Sequence, residues 1–570
     1  MQWLSFRSTR NRVTSVCALI FFAVCVWFTA WQEPQLEQRG FVFALMLCLF
    51  GIGLFTFARA AVALVVSGGL FVLLRCLAVF KQNYLESPLM PADFVYYMHS
   101  SLLETLQHYP HLYVMAIAIC IAIPVVLWLV WRGDRKLFAG MRAVTGAGVR
   151  VAGIALCLLV FWVCLMPTGP FAEVHARDTW DKMSDDAQLT NFFVNLRDSR
   201  VHLPAMSSDD VAEQQWQATA TPAPVTTTPA SYPDIVQVLE ESTFDPAPFT
   251  HCTVPACNVA MLQPDERTRG HGPMRTHTFG GGTWVSEFAA LTGMPQDIFG
   301  PGGMYAPYVL APHIRDSLPL LLQRLGYLTV AVYPTNGTFL NGRDAYKAYG
   351  VDHFYGASQL GLDDWEETDA QMFAAAKRVY EQVKKPGQPV FIMILTINQH
   401  GPHDDPMSTL PPAFQNLLQG LPAKSALNFD TYLQRLHDSD VAMHGLEQYF
   451  LQREQPTVLV HFGDHQPSFD SAMVTLPRTL PPELVRRKDY ITYYMIKSNF
   501  TGAPLPSYPV LDIAFLPSMV LQAAGLPLDS YFSAAKTLRE RCNGLYVDCA
   551  DTDLVKSYHA WTFGRLHVYE

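Results

Sequence analysis

Five long apolar runs fall within the first 170 residues of this 570-residue chain, and they constrain its fold more than any other feature. The runs cover roughly residues 13–31, 41–57, 60–80, 112–131 and 149–166. Each is close to the ~20 residues that a helix needs to cross a bilayer. A cleaved signal peptide is an alternative for the first run alone, but no small-residue cleavage site is obvious there. The sequence therefore predicts a transmembrane anchor of about five helices over residues 1–169.

Basic residues around these runs predict the orientation of the anchor, because arginine and lysine concentrate in cytoplasmic segments. Three basic residues precede run one, at Arg7, Arg10 and Arg12, and Arg59 lies between runs two and three. Five more lie between runs four and five, at Arg132, Arg135, Lys136, Arg142 and Arg150. Five spans with a cytoplasmic N-terminus place everything after about residue 170 outside the cytoplasm. If 60–80 were not a span, that part would lie inside.

Two stretches beside the runs have a mixed character. Residues 81–111 combine aromatic and charged side chains, which is typical of an interfacial helix and equally of a loop with a short helix. Residues 170–232 begin with a mixed segment, 170–204, that we interpret as a juxtamembrane helix. They end in a Pro-, Thr- and Ala-rich stretch at 218–231, which has the composition of a linker.

The cysteines indicate that the C-terminal part lies in an oxidising compartment. Seven of the eleven lie in or beside the apolar runs, where cysteine acts as a small hydrophobe. The other four form two close pairs, Cys252 with Cys257 and Cys542 with Cys549. Two local disulfides explain this spacing. A zinc site is the alternative, although neither pair has the Cys-x-x-Cys spacing.

Residues 233–570 alternate short apolar strands with helical stretches. Strands are predicted within 234–242, 389–400 and 457–467, and helices within 369–385 and 427–452. A helix followed by a strand is predicted within 316–334, with Gly326 between them. This alternation predicts an α/β domain with a mostly parallel sheet. Ligands of such domains bind beyond the carboxyl ends of the strands.

Three of these strands end in residues that can bind a metal or an anion. The ends read Glu240-Glu241-Ser242, His400-Gly401-Pro402-His403 and Gly463-Asp464-His465. Neighbours on a strand point to opposite faces, so only one of the two glutamates is expected in one site. A carboxylate next to an imidazole suits a divalent ion. A single histidine at a strand end can equally be structural, so the coincidence of three ends predicts the site.

A glycine-rich segment, GGGTWVSEF at 280–288, supplies a fourth element. Its glycines let the backbone approach a ligand closely. If Thr283 begins a helix, its hydroxyl lies where an anion is favoured, and next to a metal it can become a nucleophile. Thr283 or Ser286 can also cap the helix, with Glu287 in the first turn, and this role is compatible with a nucleophile at the same position.

Taken together, the motifs resemble those of the lipoteichoic acid synthase group of the sulfatase and alkaline phosphatase superfamily. In chain order they are Glu241-Ser242, Gly282-Thr283-x-x-Ser286-Glu287-Phe288, Asn336-x-Thr338-Phe339, Arg343-Asp344, Tyr349-Gly350, His400-x-Pro402 and Gly463-Asp464-His465. Five spans before an extracytoplasmic catalytic domain match that group as well. The resemblance implies an α/β/α catalytic domain over residues 233–570 with one divalent ion.

The resemblance also implies roles for individual residues. The ligands of one Mn²⁺, Zn²⁺ or Mg²⁺ ion would be Glu241, Thr283, Asp464 and His465, with Thr283 as the nucleophile. The residues that hold the phosphate and the developing charge would be Arg343 and His400. Further contacts with substrate are expected from His403, Trp284 and Asn341.

Some positions depart from the group's pattern. Leu340 stands where the group has an aromatic residue, and Gly342 is an extra residue before Arg343. The related phosphoethanolamine transferases usually have a cysteine-rich segment around the nucleophile. No cysteine occurs between residues 258 and 541, which favours phosphoglycerol as the transferred group.

The resulting hypothesis is a transferase that takes the headgroup phosphate of phosphatidylglycerol, carries it on Thr283 and passes it to a hydroxyl of an extracytoplasmic glycan or polymer. Transfer from phosphatidylethanolamine is the alternative. A sulfatase activity is disfavoured because Thr283 lacks the Cys/Ser-x-Pro-x-Arg context from which formylglycine is made. The complete ligand set disfavours a non-catalytic sensor, and the few charges within the runs disfavour a transporter. The net charge of −10 argues against a nucleic-acid partner.

Overall fold

The computed structural model of the chain describes residues 2–85, 89–96, 110–175, 187–196, 201–207, 216–217, 232–363, 365–469, 472–502 and 504–570. These residues belong to two compact units, Met1–Ser199 and Arg200–Glu570. The predicted linker at 218–231 lies outside the described residues, as do parts of the predicted interfacial and juxtamembrane segments. The domain boundaries at 169 and 232 stay predictions.

The first unit is helical. Its long helices are Gln2–Phe28, Leu36–Phe57, Ala60–Leu85, Pro110–Gly133 and Ala143–Cys164, and its short ones are Ala172–His175 and Gln188–Val194. Four stretches are long and apolar enough to cross a membrane: Asn11–Gln32, Leu36–Phe57, Ala60–Lys81 and Ala143–Cys164. Within the helix Pro110–Gly133, the described residues include the apolar stretch Ile117–Gly133. Among the described residues, four of the five predicted spans are thus confirmed as candidates.

Two of the predicted cytoplasmic loops meet at one end of this unit. Arg59, between the second and third long helices, donates a hydrogen bond to the Trp131 carbonyl oxygen at 3.0 Å. Arg150, in the last long helix, donates through Nε to the Phe55 carbonyl oxygen at 2.7 Å. The cations of both loops therefore lie on the same side of the helices, as a spanning bundle requires.

The short helix Gln188–Val194 is buried at the opposite end. The carboxylate of Glu33 accepts two backbone N–H groups from its start, at 3.3 and 3.2 Å, and pairs with Arg75 at 3.4 Å. The Phe193 ring stacks on Phe71, with centroids 5.1 Å apart. This part of the predicted juxtamembrane segment is therefore a packed component of the helical unit.

The second unit is built on one eight-stranded sheet. Its strands are β1 Asp234–Glu240, β2 Thr268–Arg275, β3 Leu328–Val332, β4 His353–Tyr355, β5 Val390–Leu395, β6 Thr457–Gly463, β7 Ile491–Ser498 and β8 Leu511–Asp512. The spatial order is β4-β3-β5-β1-β6-β7-β2-β8. The first five strands in that order are parallel, β7 is antiparallel to both neighbours, and β8 is parallel to β2. The predicted mostly parallel sheet is confirmed.

Helices cover both faces of the sheet. They are Thr283–Thr292, Ala306–Val309, Leu318–Arg324, Gly342–Ala348, Ala357–Leu360, Asp369–Val383, Ala423–Leu451, Pro482–Val485, Leu516–Ala523, Ser530–Arg541 and Thr552–His559. All residues of the central strand β1 are buried, and its side chains alternate between two apolar cores. Ile235 and Leu239 belong to one core, and Val236 and Val238 belong to the other. The layers are therefore α/β/α.

Parts of the predicted linker segment belong to this second unit. The His202 N–H donates to the Phe299 carbonyl oxygen at 3.0 Å. Trp216 is buried, and its indole N–H donates to Ser557 Oγ at 2.8 Å.

Both predicted disulfides are present, Cys252–Cys257 and Cys542–Cys549. They hold two irregular segments of the second unit. The free cysteines of the described residues all lie in the helical unit. The structure therefore supports disulfides and not the zinc alternative.

Candidate active site

The ends of β1 and β6 lie side by side. These parallel strands pair along their whole length, up to Glu240 opposite Gly463. The next residues of the two strands, Glu241 and Asp464, are therefore brought together at the carboxyl edge of the sheet. A Cβ atom on Gly463 would lie 1.8 Å from the Thr243 carbonyl oxygen, so this close approach of the two chains requires glycine.

Glu241, Asp464 and His465 form a buried cluster whose ligand atoms all lie within 4.8 Å of one another. His465 Nε2 lies 3.5 Å from Glu241 Oε1 and 3.3 Å from Asp464 Oδ2. His465 Nδ1 lies 3.1 Å from the Gln466 carbonyl oxygen. Because a carbonyl oxygen only accepts, Nδ1 carries the proton and Nε2 presents a lone pair to the two carboxylates.

This donor set fits a divalent ion. Two carboxylates and one imidazole suit Mn²⁺ or Zn²⁺, and carboxylates also bind Mg²⁺. Asp464 Oδ2 is buried without a hydrogen-bond donor among the described residues. Burial raises the pKa of Asp464 to about 7, and burial together with the charge of Asp464 raises the pKa of Glu241. Two buried carboxylates that resist ionisation are expected where a cation completes the site.

Hydrogen bonds hold the cluster in place. The N–H groups of Ser242 and His465 both donate to Asp464 Oδ1 at 2.7 Å. The Ser242 hydroxyl donates to Glu241 Oε1 at 2.8 Å. The Ser286 hydroxyl donates to the Asp464 carbonyl oxygen at 2.6 Å and so ties the helix Thr283–Thr292 to the end of β6.

Thr283 is the first residue of that helix, and its hydroxyl donates to Glu241 Oε2 at 2.9 Å. The helix cap is Gly282, whose φ of 88° lies in the left-handed region. The reading of Thr283 or Ser286 as a cap is therefore wrong. The Val285 N–H donates to the Gly282 carbonyl oxygen at 2.8 Å, and glycine offers no side chain to cap the N–H groups of Thr283 and Trp284 at the start of the helix.

Glu287 does not lie on an exposed first turn. Its carboxyl group is buried beneath the helix Thr283–Thr292, where it accepts the Tyr333 hydroxyl at 3.2 Å. Burial raises its pKa to about 8. This bond ties the helix to the segment that follows β3.

Glu240 points away from the cluster. The Thr396 hydroxyl donates to Glu240 Oε2 at 3.4 Å, and Glu240 shares a hydrogen bond with Asp369. Burial, and then the charge of Asp369, raise the pKa of Glu240 well above its usual range. Of the two glutamates at the end of β1, the structure brings Glu241 to Asp464 and His465.

The predicted recognition residues after β3 are held by contacts of their own. Arg343 is exposed, and its guanidinium donates to the Phe354 carbonyl oxygen at 3.0 Å and to Gln359 Oε1 at 2.9 Å. Asn341 donates to the Pro307 carbonyl oxygen at 3.0 Å. Leu340 and Asn341 have φ values of 44° and 58°, and this left-handed turn accommodates the extra Gly342. None of these contacts brings Arg343 to the metal cluster.

The other predicted contacts differ in position. Trp284 donates its indole N–H to the Met304 carbonyl oxygen at 2.6 Å. His400 is half-buried and follows β5, which is the neighbour of β1 in the sheet. His403 is buried against Phe469, with ring centroids 5.1 Å apart. Burial lowers its pKa well below the usual range.

Trp365 is a residue that the sequence did not single out. Its ring contacts His400, with centroids 5.4 Å apart. It lies in a stretch of acidic residues with no periodic pattern, so only the tertiary structure reveals its position.

The profile of the Sulfatase family matches residues 233–526, more than half of the chain. An uncharacterized protein of Haemophilus influenzae is 29% identical over 549 residues, which cover 93% of this chain and 95% of that protein. A putative cyclic beta-1,2-glucan modification protein of Rhizobium meliloti is 26% identical over 475 residues, which cover 78% of this chain and 70% of that protein.

Among solved structures, the fold is similar to that of the integral membrane protein lipooligosaccharide phosphoethanolamine transferase A from Neisseria meningitidis. The TM-score is 0.50 at 12% identity, over 89% of this chain and 95% of that one. At this level of identity, the likeness is evidence for the fold alone. With the profile match over the α/β/α unit, the chain belongs to the sulfatase family.

Proposed function

We propose that this protein is a membrane-bound transferase that moves a phospholipid headgroup phosphate onto a hydroxyl of an extracytoplasmic glycan or polymer. The donor in this proposal is phosphatidylglycerol, the transferred group is sn-glycerol phosphate, and the covalent carrier is Thr283. Family membership and the ordered motifs shared with the lipoteichoic acid synthase group support it. Phosphatidylethanolamine is the alternative donor.

One observation carries the proposal: the Thr283 hydroxyl donates to Glu241 at 2.9 Å, at the side of a cluster whose ligand atoms lie within 4.8 Å of one another. A divalent ion held by Glu241, Asp464 and His465 would favour the ionised form of this hydroxyl and offset the charge of a phosphate. The hydrogen bond already orients the Thr283 side chain, which lowers the entropy cost of reaching a reactive geometry.

The side chains of the site then account for the two transfers. Deprotonated Oγ1 of Thr283 attacks the phosphorus, and the bond between phosphorus and the diacylglycerol oxygen breaks. His400 donates a proton to that oxygen and later accepts the proton of the acceptor hydroxyl. The acceptor oxygen displaces Oγ1 and regenerates Thr283. Arg343 in this proposal leaves Gln359 to bind a phosphate oxygen when substrate is present.

The membrane topology belongs to the same proposal. We propose that all five long helices span, with the N-terminus in the cytoplasm and the α/β/α unit in the periplasm. Arg59 and Arg150 lie at the same end of the helical unit, which supports a cytoplasmic location for that end. The two disulfides of the second unit support an oxidising compartment for it. A site anchored in this way lies near its lipid donor.

A glycan acceptor is supported by the Rhizobium meliloti relative, whose name describes it as a putative glucan modification protein. The type of linkage and the length of the acceptor are not part of the proposal. The reaction needs only one accessible hydroxyl, because each turnover attaches one phosphate.

Mass spectrometry of the peptide that contains Thr283 tests the proposal. The purified full chain is incubated with vesicles of phosphatidylglycerol and phosphatidylethanolamine, and the peptide is analysed for added mass. We expect phosphoglycerol on Thr283, a slower adduct in Thr283→Ser and none in Thr283→Ala. Phosphoethanolamine would keep the mechanism and change the donor. An unmodified Thr283 in protein that turns over lipid would contradict the proposal.

A further inference from the structure

Trp365 adopts a backbone conformation that is unusual for a bulky residue. Its φ is 74°, in the left-handed region that favours glycine. The side chain is half-buried. Conformations of this kind persist where the surrounding structure enforces them, and they cluster at functional sites.

The Trp365 ring forms a corner with two other rings. Phe339 lies with its centroid 4.7 Å away at an interplanar angle of 86°. His400 lies 5.4 Å away at 73°. We call Phe339, Trp365 and His400 the aromatic corner. Phe339 is half-buried like the tryptophan, so the corner is not part of either apolar core.

The aromatic corner lies at the catalytic edge of the sheet. Phe339 follows β3 and His400 follows β5, and these parallel strands are neighbours on the β1 side of the sheet. The carboxyl ends of parallel strands share one edge, which is the edge where Glu241 lies. The corner therefore flanks the candidate metal site.

The indole of Trp365 differs from two other indoles of the second unit. Trp216 donates its N–H to Ser557, and Trp284 donates its N–H to Met304. Within the described residues, the Trp365 N–H has no such bond. A half-buried ring face with a donor at its edge is suited to a ligand that is apolar on one face and carries hydroxyl groups around its rim.

We propose that the aromatic corner binds a sugar ring of the acceptor and so aligns its hydroxyl with the phosphate on Thr283. This inference rests on the proposed function, which it deepens. A pyranose has a face of C–H groups that packs on an aromatic ring, and hydroxyl groups that accept the indole N–H. The glycerol and ethanolamine headgroups are short flexible chains without such a face. An ammonium group held over Trp365 is the rival, because cations also bind aromatic faces.

Equilibrium binding tests the aromatic corner without requiring turnover. The full chain is titrated by calorimetry with a β-1,2-linked glucose oligosaccharide, and separately with phosphoethanolamine and glycerol phosphate. We expect Trp365→Gly, which relieves the backbone conformation, to weaken oligosaccharide binding at least about tenfold. Trp365→Phe keeps an aromatic face and should lose less than about threefold. Both headgroup compounds should bind each variant like the original chain.

A matched control is Tyr449→Ala, which removes a half-buried aromatic ring that precedes the amino end of β6. Its oligosaccharide affinity should be unchanged. Oligosaccharide binding that is absent, or equal in Trp365→Gly, would overturn the proposal. Selective loss of phosphoethanolamine binding would overturn it in favour of an ammonium site.

The Thr283 adduct separates this proposal from the reaction that it serves. In Trp365→Gly we expect discharge to the oligosaccharide to slow at least about tenfold more than adduct formation, because both steps use His400 but only discharge uses the sugar contact. Equal slowing of the two steps would overturn the assignment to the acceptor. If the protein binds the oligosaccharide through Trp365 but forms no adduct on Thr283, the sugar-binding role of the aromatic corner would be supported and the proposed function would be refuted.

Discussion

Glu240 and Glu241 are neighbours at the end of β1, yet they belong to two different buried clusters. Glu241 meets Asp464 and His465, and it accepts the hydroxyl of half-buried Thr283. Glu240 faces Asp369, and both of these residues are at most 1% exposed. Burial raises the pKa of a carboxyl group in each cluster, to about 7 for Asp464 and to about 6 for Asp369.

The difference between the clusters lies in their partners and in access. The polar neighbours of the Glu240–Asp369 pair include hydroxyl groups, and the Thr396 hydroxyl donates to Glu240 Oε2 at 3.4 Å. The Glu241 cluster contains the imidazole of His465, and it lies next to Thr283, which is half-buried. A buried carboxylate pair with a raised pKa is therefore not sufficient to identify an active site. A metal-type donor set next to an accessible nucleophile is the stronger criterion.

Matched substitutions at the two glutamates should give the largest contrast. Glu241→Gln removes a charged ligand and is expected to lower turnover at least about 1000-fold. Glu240→Gln keeps a neutral hydrogen-bond donor next to Asp369, so turnover should stay within about threefold. Steady-state transfer by the two purified full-length variants measures this. Similar losses in both variants would remove the functional distinction between the clusters.

Metal affinity should depend on pH through the Glu241 cluster. A metal binds the ionised carboxylate, and Asp464 takes up a proton as the pH falls through about 7. Asp464 alone should lower the apparent affinity for Mn²⁺ by up to about tenfold for each pH unit below 7. Calorimetric titrations between pH 5.5 and 8 measure this change.

Asp369→Asn is the control for this titration, because it changes the other cluster. It should bind Mn²⁺ with the original pH profile, whereas Asp464→Asn should bind weakly at every pH. Loss of Mn²⁺ binding in Asp369→Asn but not in Asp464→Asn would assign the metal to the Glu240–Asp369 pair and contradict the prediction.

Substitution of His277 should have the smallest effect, because we expect it to alter only how the free energy of unfolding depends on pH. The His277 ring lies between two carboxylates, with Nδ1 2.8 Å from Asp297 and Nε2 2.9 Å from Asp512. Burial and the charge of Arg275, whose Nη1 lies 2.9 Å from His277 Nδ1, oppose its protonation, but Asp512 and then Asp297 outweigh both and the pKa is raised above 6.5. Its stabilising contribution is fully present below pH 6.5 and is lost as the pH rises through the raised pKa.

Denaturant unfolding at several pH values measures this contribution. The free energy of unfolding should fall above pH 6.5 by at most about 1.4 kcal/mol per pH unit, and His277→Gln should flatten that slope. The exposed His444→Gln should keep it. An unchanged slope in His277→Gln would show that this imidazole is not charged in the folded protein.

The sequence predicts the parallel half of the sheet and the cluster because both depend on local patterns. Buried strands such as β1 and β6 are continuous apolar runs, and Glu241 and Asp464 follow them directly. Strand β2, by contrast, reads Thr-Arg-Gly-His-Gly-Pro-Met-Arg and has no strand pattern, so its pairing with β7 depends on tertiary context.

Long side chains and irregular segments were the least predictable. The sequence places Arg343 in a motif, but the turn at Leu340 and Asn341 directs the chain so that the guanidinium meets Phe354 and Gln359. Trp365 likewise reaches His400 through a left-handed backbone conformation that no local pattern specifies. Such positions are fixed by contacts between segments far apart in the chain.

Anomalous diffraction from crystals of the protein soaked in Mn²⁺ tests where the ion binds. We expect one strong peak bounded by Glu241, Asp464 and His465 within bonding distance of Thr283 Oγ1, and no peak between Glu240 and Asp369. A peak at the Glu240–Asp369 pair, or a fully occupied ion that Thr283 and Glu241 do not contact, would contradict this expectation.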